Sequence, residues 1–429
     1  MTKILSLLLV LSFLLALFGC ADDKKGTNTD DTDSANMPVV DVSYTAAHLN
    51  RIESLEHLAL PDINSIFTFL KLQVPDAANL VAGLSSDVSV YRMTYQTTYN
   101  GAPVMASALL AIPDAATPLP VLSFQNGTNT VKADAPTESY DTPVMQMISA
   151  TASLGYVIAV TDYLGFGESA QLVHPYLCRE ATVTPLLDML SAVTELEEDA
   201  TDPLQFSLSG DLFLMGYSQG GHATMALHEQ LERTPDFPLV LQATAAGAGP
   251  YDIMAVNQYI LSQPEYPMPV FGPYTILAFQ SLGFVPNDLS LFFAAPYAAA
   301  IPGLFDGTKT EDEINAGLTT SPAALYTPMV ITTTTNGTTD DAAGQALLAA
   351  FADNSVPAFA ATSPIRLSHG STDTYIPAAE TEAFAQRMIA AGTPEANISI
   401  LTIPDKDHQT AAPFAIVDAI SWFNSRRGI

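Results

Sequence analysis

The chain is poor in cations. Only 15 Lys and Arg stand against 45 Asp and Glu in 429 residues, a formal net charge of −30. A nucleic-acid partner is excluded, because phosphate binding needs a basic face. Acidity this strong favours solubility and says nothing about fold. Cysteine is nearly absent too: there are two, Cys20 and Cys178. A lone thiol without a spacing motif is weak evidence for chemistry, so Cys178 reads as a small buried apolar residue. No cluster of His, Cys and acids has metal-ligand spacing, and Asp340-Asp341 with Asn336 reads as a solvated loop. Gly165-Phe166-Gly167 lacks the third glycine of a dinucleotide fingerprint, which would fall at Ala170. No cofactor is therefore expected. The apolar run over residues 4–18, preceded by Lys3, is shorter than the roughly 20 residues a spanning helix needs and reads as an export signal.

What is present is ample material for a core: 48% of the residues are hydrophobic. No repeat period is visible, and only 331–339 looks low in complexity. Residues 21–40 are rich in Asp, Thr, Asn and Ser, with almost no large apolar side chain. Such a stretch cannot bury enough surface to offset its ordering entropy and reads as a tether. Residues 44–84 carry apolar side chains at mixed helical spacings and predict short N-terminal helices. Alternation predicts strands over 88–99 and 104–112, joined by an Asn100-Gly101 hairpin turn. From there apolar runs at 119–124, 156–161, 211–215 and 239–246 alternate with helical patterns at 143–154, 181–196 and 220–231. Continuous apolar strands separated by helices mean a mostly parallel sheet covered on both faces, an α/β fold. The alternation breaks over 251–363, which is too long for a structureless loop and predicts an inserted helical subdomain. It resumes with a strand at 364–368, a helix at 378–391, a strand at 398–403 and a helix at 414–424. The domain plan is thus a core of 41–250 and 364–429 interrupted by the insertion.

Gly216-Tyr217-Ser218-Gln219-Gly220 matches the Gly-x-Ser-x-Gly nucleophile elbow. The apolar strand before it and the helix after it are the setting that exposes a strained serine at a sheet edge. A side chain at Gly216 or Gly220 would clash with so sharp a turn. A serine hydroxyl is a poor nucleophile at neutral pH and needs a base held by a third group.

The elbow, together with "SFQNGT", "VTDYLGFGES", "HPY", "AGAGPYD" and "HGSTD", resembles the bacterial and fungal secretory lipases and carboxylesterases of the α/β-hydrolase superfamily, over about residues 90–425. The resemblance implies a triad in the order Ser, acid, His. Asp373, just past a strand in His369-Gly370-x-x-Asp373, then becomes the acid, and His408, one helix and one strand later, the base. Asp405 and Asp407 are alternative acids, though closeness in sequence to His408 makes a productive contact awkward. His369 precedes the acid and reads as a brace for its loop, and His222 and His228 lie along the helix after Ser218. His48 and His57 belong to the expected N-terminal helices. His174 is out of order for the base and reads as a residue that shapes the site. The oxyanion of the tetrahedral intermediate needs two preorganised donors. The Gln219 N–H is one. The second comes from the loop "FQNGTNT", where Asn126 stands at the usual histidine position, with Thr128 the candidate and Asn126 and Gly127 the alternatives. By resemblance the insertion is a lid over the acyl pocket, with Tyr266, Phe271, Tyr274, Phe279, Phe284, Phe292, Phe293 and Tyr297 able to line it or simply to pack it.

Leu17-Phe18-Gly19-Cys20 resembles the lipobox of bacterial lipoproteins. That implies cleavage before Cys20, lipidation of its sulfur, an exported protein held at a cell-envelope membrane, and no disulfide. The expected activity is hydrolysis of a small-molecule or lipid ester through an acyl-enzyme. A peptidase on the same fold and a binding protein on an inactive scaffold are the alternatives, the latter opposed by the intact Ser218, Asp373 and His408.

Overall fold

The computed structural model describes residues 40–198, 204 and 206–429. The expected signal, the lipidation site Cys20 and nearly all of the tether lie outside the described residues.

Strands β1 (Asp41–Ser43), β2 (Leu49–Leu58), β3 (Val88–Tyr99) and β4 (Ala102–Pro113) form an antiparallel run. The turn between the last two has positive φ at both Asn100 (50°) and Gly101 (75°), as a type I′ hairpin demands. Strands β5 (Leu119–Gln125), β6 (Val157–Thr161), β7 (Leu208–Tyr217), β8 (Val240–Gly247), β9 (Ile365–Gly370) and β10 (Ile398–Ile403) are parallel to one another, and β4 meets β6 antiparallel. The ten-stranded sheet runs β1-β2-β3-β4-β6-β5-β7-β8-β9-β10.

One expectation fails at the N-terminus. Residues 49–58, read as helical, form strand β2 against β3, and His57 lies on that strand. Two register shifts, at Leu49/Arg51 and Ser54/Glu56, break its two-residue period. Bulges of this kind displace side chains from alternation, so the apolar spacing imitates a helix. The true helix here is α1 (Leu60–Gln73), which buries Ile63, Phe67 and Leu70.

Helices α2 (Pro143–Ala150), α3 (Arg179–Glu198) and α4 (Gln219–Glu232) follow their strands. Alternate residues of β7 serve opposite faces. Leu212 and Leu214 join the cluster under α3 and α4 with Leu186, Met189 and Leu227. Phe213 and Met215 join the opposite cluster with Phe67, Ile148 and Phe423. Burial on both faces explains why the strand reads as a continuous apolar run. Truncating Phe213 to Ala would cost about 3–5 kcal/mol.

Between β8 and β9 the insertion is helical, as expected: α5 (Ile253–Ser262), α6 (Phe271–Ser281), α7 (Tyr297–Leu304), α8 (Glu311–Ala316), α9 (Pro328–Asn336) and α10 (Ala342–Asn354). Asp341 is not merely a solvated loop residue, since its side chain caps α10 by accepting from the Gly344 N–H at 2.9 Å. The insertion has its own core, in which Phe279, Phe292, Phe293, Leu347 and Phe351 pack with Tyr176, Leu177 and Cys178 of the main domain. Cys178 is buried as expected, and burial pushes its thiol upward. The chain then returns through β9, α11 (Ala378–Ala390) and β10 to α12 (His408–Arg427). That last helix starts earlier than expected, at His408. Asp407 and Thr410 make a reciprocal capping box ahead of Pro413, the residue that imitates a helix start in the sequence.

Candidate active site

The elbow is built by a collision of backbones. Ser218 stands between β7 and α4 with φ 59° and ψ −124°, a conformation that costs about 1–3 kcal/mol. It survives because both neighbours over-determine it. The Ser218 N–H donates to Gly247 O of β8 at 2.9 Å, and Ser218 O accepts from the Gly221 N–H at 2.9 Å. A Cβ on Gly220 would overlap the carbonyl oxygen of Gln125, and one on Gly216 would overlap Gly220 O and Thr224 Oγ1.

The three expected triad residues meet at the C-terminal ends of the strands. Ser218 Oγ lies 2.8 Å from His408 Nε2, and His408 Nδ1 lies 2.6 Å from Asp373 Oδ2. His408 is the first residue of α12 rather than a loop residue, so its backbone is fixed by the helix. Its carbonyl accepts from the Tyr217 hydroxyl at 2.9 Å. The rings of Tyr217 and Tyr375 lie 5.3 and 5.0 Å from the imidazole.

Asp373 is buried and fully committed. Its Oδ1 accepts from the N–H groups of Tyr375 (2.8 Å) and Ile376 (3.0 Å), and its Oδ2 is shared between His408 and His369 Nε2 at 3.0 Å. Burial by itself raises this carboxyl. The charge of His408 and the hydrogen bonds from His369 and His408 outweigh it and hold the group well below the usual carboxylate range. His369 braces the loop as expected, with contacts to Thr381 Oγ1 (2.7 Å) and Ile376 O (2.9 Å), but it does so while touching the acid itself. The alternative acids are elsewhere engaged. Asp407 caps α12 through the Thr410 N–H, and Asp405 is an exposed turn residue with φ 56°.

The loop after β5 runs beside the elbow: a Cβ on Gly127 would lie 3.9 Å from that of Ser218. It is pinned from several sides. The Tyr163 hydroxyl donates to Asn126 O (3.1 Å), the Tyr274 hydroxyl to Asn129 O (2.8 Å), and Thr128 Oγ1 pairs with Tyr176 OH (3.0 Å). Gln219 opens α4 as its first residue, a position whose N–H has no intrahelical acceptor and is free to receive an anion. Its side chain is held by His174. Nδ1 of His174 donates to Leu164 O at 2.8 Å, which leaves Nε2 to accept from the Gln219 amide at 2.8 Å. Burial pushes His174 down to about 4, so the ring is neutral in this role.

The stretch from Asp162 to Ser169 supports this arrangement. Asp162 accepts from the Thr137 N–H and hydroxyl and from Ser107 Oγ. Burial lifts it to about 6 against those hydrogen bonds. Gly165 has φ 92° and a Cβ there would overlap the His174 backbone, so only glycine lets this turn approach His174. His222 faces the insertion, contacting Asn354 O at 2.8 Å.

A cavity of about 190 Å³ abuts the same loop, lined by Asn126, Gly127, Thr128, Val144, Ile148 and Ile416 among others. Its walls belong to the main domain. Of the aromatics expected to line a pocket, Phe279, Phe292 and Phe293 are consumed in the insertion's own core. Tyr274 and Phe271 instead stack on Tyr176 beside the loop after β5, with ring centroids 4.5 and 6.4 Å away. Sequence reasoning missed Tyr217 and Tyr375 at the site. Adjacency to Ser218 and Asp373 was the only available signal for both.

Among solved structures, the chain is similar to a candidate hydrolase of Legionella pneumophila, with 25% identity over 88% of this chain and 98% of that one and a TM-score of 0.77. It is similar also to the rice cell wall degrading esterase LipA of Xanthomonas oryzae (21% identity, 89% and 98% coverage, TM-score 0.72). The closed state of Candida antarctica lipase A matches at 16% identity, 90% and 83% coverage and a TM-score of 0.65. No protein-family model and no curated protein sequence matches the chain. The fold is that of the α/β-hydrolases, a mostly parallel sheet with helices on both faces.

Proposed function

We propose that the protein is a serine hydrolase that cleaves carboxylic esters through an acyl-enzyme on Ser218. The observation that carries the reading is the unbroken hydrogen-bond chain from Ser218 Oγ through His408 to Asp373. His408 Nε2 takes the hydroxyl proton as Oγ attacks the ester carbonyl. The oxyanion is met by the Gln219 N–H and an N–H of the Gly127-Thr128 segment, each donor worth roughly 3–4 kcal/mol of barrier. The imidazolium, steadied by Asp373, returns the proton to the leaving alkoxide. Water then repeats the sequence and releases the acid. The esterase and lipase structures on the same fold support an ester as the bond cleaved.

The apolar cavity beside the oxyanion loop takes the acyl chain, and the insertion covers the alcohol side as a lid. Lipidation of Cys20 would hold the enzyme at a cell-envelope membrane, near lipid or small-molecule esters. The test is labelling by a fluorophosphonate probe. The wild type should label and Ser218→Ala should not, with turnover on a short nitrophenyl ester at least ~1,000-fold lower. A folded Ser218→Ala protein with near-normal turnover would remove Ser218 from the mechanism.

A further inference from the structure

The loop that carries the acid is gripped by the insertion. Tyr375 and Ile376 supply the two N–H groups that hold Asp373 Oδ1, at 2.8 and 3.0 Å. Their side chains join the insertion rather than the main core. Ile376 is buried in a cluster whose other buried members among the described residues are Val256, Ile260, Tyr266, Met268, Val270 and Ile314, all of the insertion. Tyr375 packs on the same cluster. The insertion holds the backbone of this loop as well. The Tyr266 hydroxyl donates to Tyr375 O at 3.1 Å, and the Tyr259 hydroxyl to Thr374 O at 3.3 Å.

Tyr375 carries the contact one step further, to the base. Its ring lies 5.0 Å from the His408 imidazole at an interplanar angle of 33°. Phe271 of α6 meets the Tyr375 ring in a T-shaped contact at 6.2 Å and 65°. An aromatic ring this close restricts the rotamer of the imidazole and attracts the positive charge it acquires on taking the Ser218 proton. One residue thus meets both partners of Ser218, its N–H on the acid and its ring on the base. Its own carbonyl and ring are held by the insertion.

We infer that Tyr375 is a positioning residue through which the docked insertion aligns His408 and Asp373 with Ser218. The inference rests on the ester-hydrolase reading above. Misplacing a catalytic group by about 1 Å lowers a rate about 100-fold, so loosening Tyr375 costs turnover although it touches no reacting atom. A cover that only enclosed the substrate would act on binding. An insertion that sets the base acts on the acylation step itself, even with a reagent too small to need the cover.

The test measures, in the full chain, the rate of fluorophosphonate labelling and the separate kcat and KM on a short nitrophenyl ester. Tyr375→Leu, which removes the ring but keeps apolar bulk, should slow labelling and kcat about tenfold or more, with KM within about threefold of wild type. Tyr375→Phe keeps the ring and should recover most of that loss. Tyr266→Phe deletes one hydroxyl inside the insertion and should slow labelling about threefold or more. The low-field proton resonance of the His408–Asp373 hydrogen bond should broaden or vanish in Tyr375→Leu and broaden in Tyr266→Phe, which a loss of global stability alone would not cause. Leu291→Ala, at an exposed site on the insertion, should alter none of these readings. Tyr375→Leu that labels at the wild-type rate with an unchanged resonance overturns the inference, as does a defect confined to KM. If Tyr375→Leu does not fold, wild-type labelling by Tyr266→Phe overturns it alone. Wild type that does not label overturns the parent reading, and the inference falls with it.

Discussion

Asp373→Asn tests the orientation of the base, and the geometry sets what it must do. All four contacts to the carboxylate come from donors: the N–H groups of Tyr375 and Ile376 on Oδ1, and His408 Nδ1 and His369 Nε2 on Oδ2. The backbone donors cannot turn over, so the amide oxygen of an asparagine must face them. Its NH2 group then confronts His408 Nδ1. The imidazole can accept there only by carrying its proton on Nε2, which removes the lone pair that takes the Ser218 proton. A wrong tautomer of this kind lowers kcat about 10⁴-fold, or ~5 kcal/mol of barrier. The NH2 group also opposes His369, and an unsatisfied buried donor adds about 1–3 kcal/mol of lost stability. Pre-steady-state acylation with a short nitrophenyl ester measures the first effect, and nitrogen NMR of His408 reads its tautomer directly. Asp405→Asn and Asp407→Asn should leave acylation within a few-fold of wild type, since asparagine caps a helix as well as aspartate. Turnover of Asp373→Asn within tenfold of wild type, or a dead Asp407→Asn, would refute the assignment of the acid.

Other outcomes follow from the same structure. Val144→Trp should fill the 190 Å³ cavity and cut turnover on octanoyl relative to acetyl esters by about tenfold or more, read from a nitrophenyl chain-length series; an unchanged profile would place the acyl chain elsewhere. Glu311 has a folded pKa raised to about 8, so its contribution to stability is intact below about pH 4.5 and is lost as pH rises to about 8. Glu311→Met should gain stability over wild type across that window, by at most ~5 kcal/mol, and the gain should level off above it. Urea unfolding at pH 5, 7 and 8.5 measures this, and a pH-independent difference would show that the carboxyl is not held neutral. Cys20→Ser should abolish incorporation of labelled palmitate, and equal labelling of mutant and wild type would refute lipid anchoring.

The sequence by itself determined those parts of the protein whose physics is local. A type I′ turn needs positive φ at two consecutive residues, so Asn100-Gly101 was legible. A strand buried on both faces must be apolar throughout, so β5, β6 and β7 were legible within a few residues. The elbow was legible because the glycines at 216 and 220 answer to contacts within the turn and its adjoining strand. That Asp373 and His408 would meet Ser218 was legible through their order along the chain and the loops that carry them.

Tertiary structure decided whatever depends on partners distant in sequence. Strand β2 is a strand because β3 lies beside it, and its bulges erase the period that would have shown it. Phe279, Phe292 and Phe293 carry no mark that separates a packing ring from a pocket wall, and only the closure of the insertion's core assigns them to packing. His369 reaches Asp373, His174 reaches Gln219, and Tyr217 reaches the carbonyl of His408 by side-chain hydrogen bonds whose donors and acceptors any chain of this composition contains. Glu311 is the extreme case. In sequence it is one of three consecutive acids at a helix start, where charge ordinarily faces water. Only the docking of the segment leading into α8 on the loop after β5 turns that one residue inward, to 6% exposure.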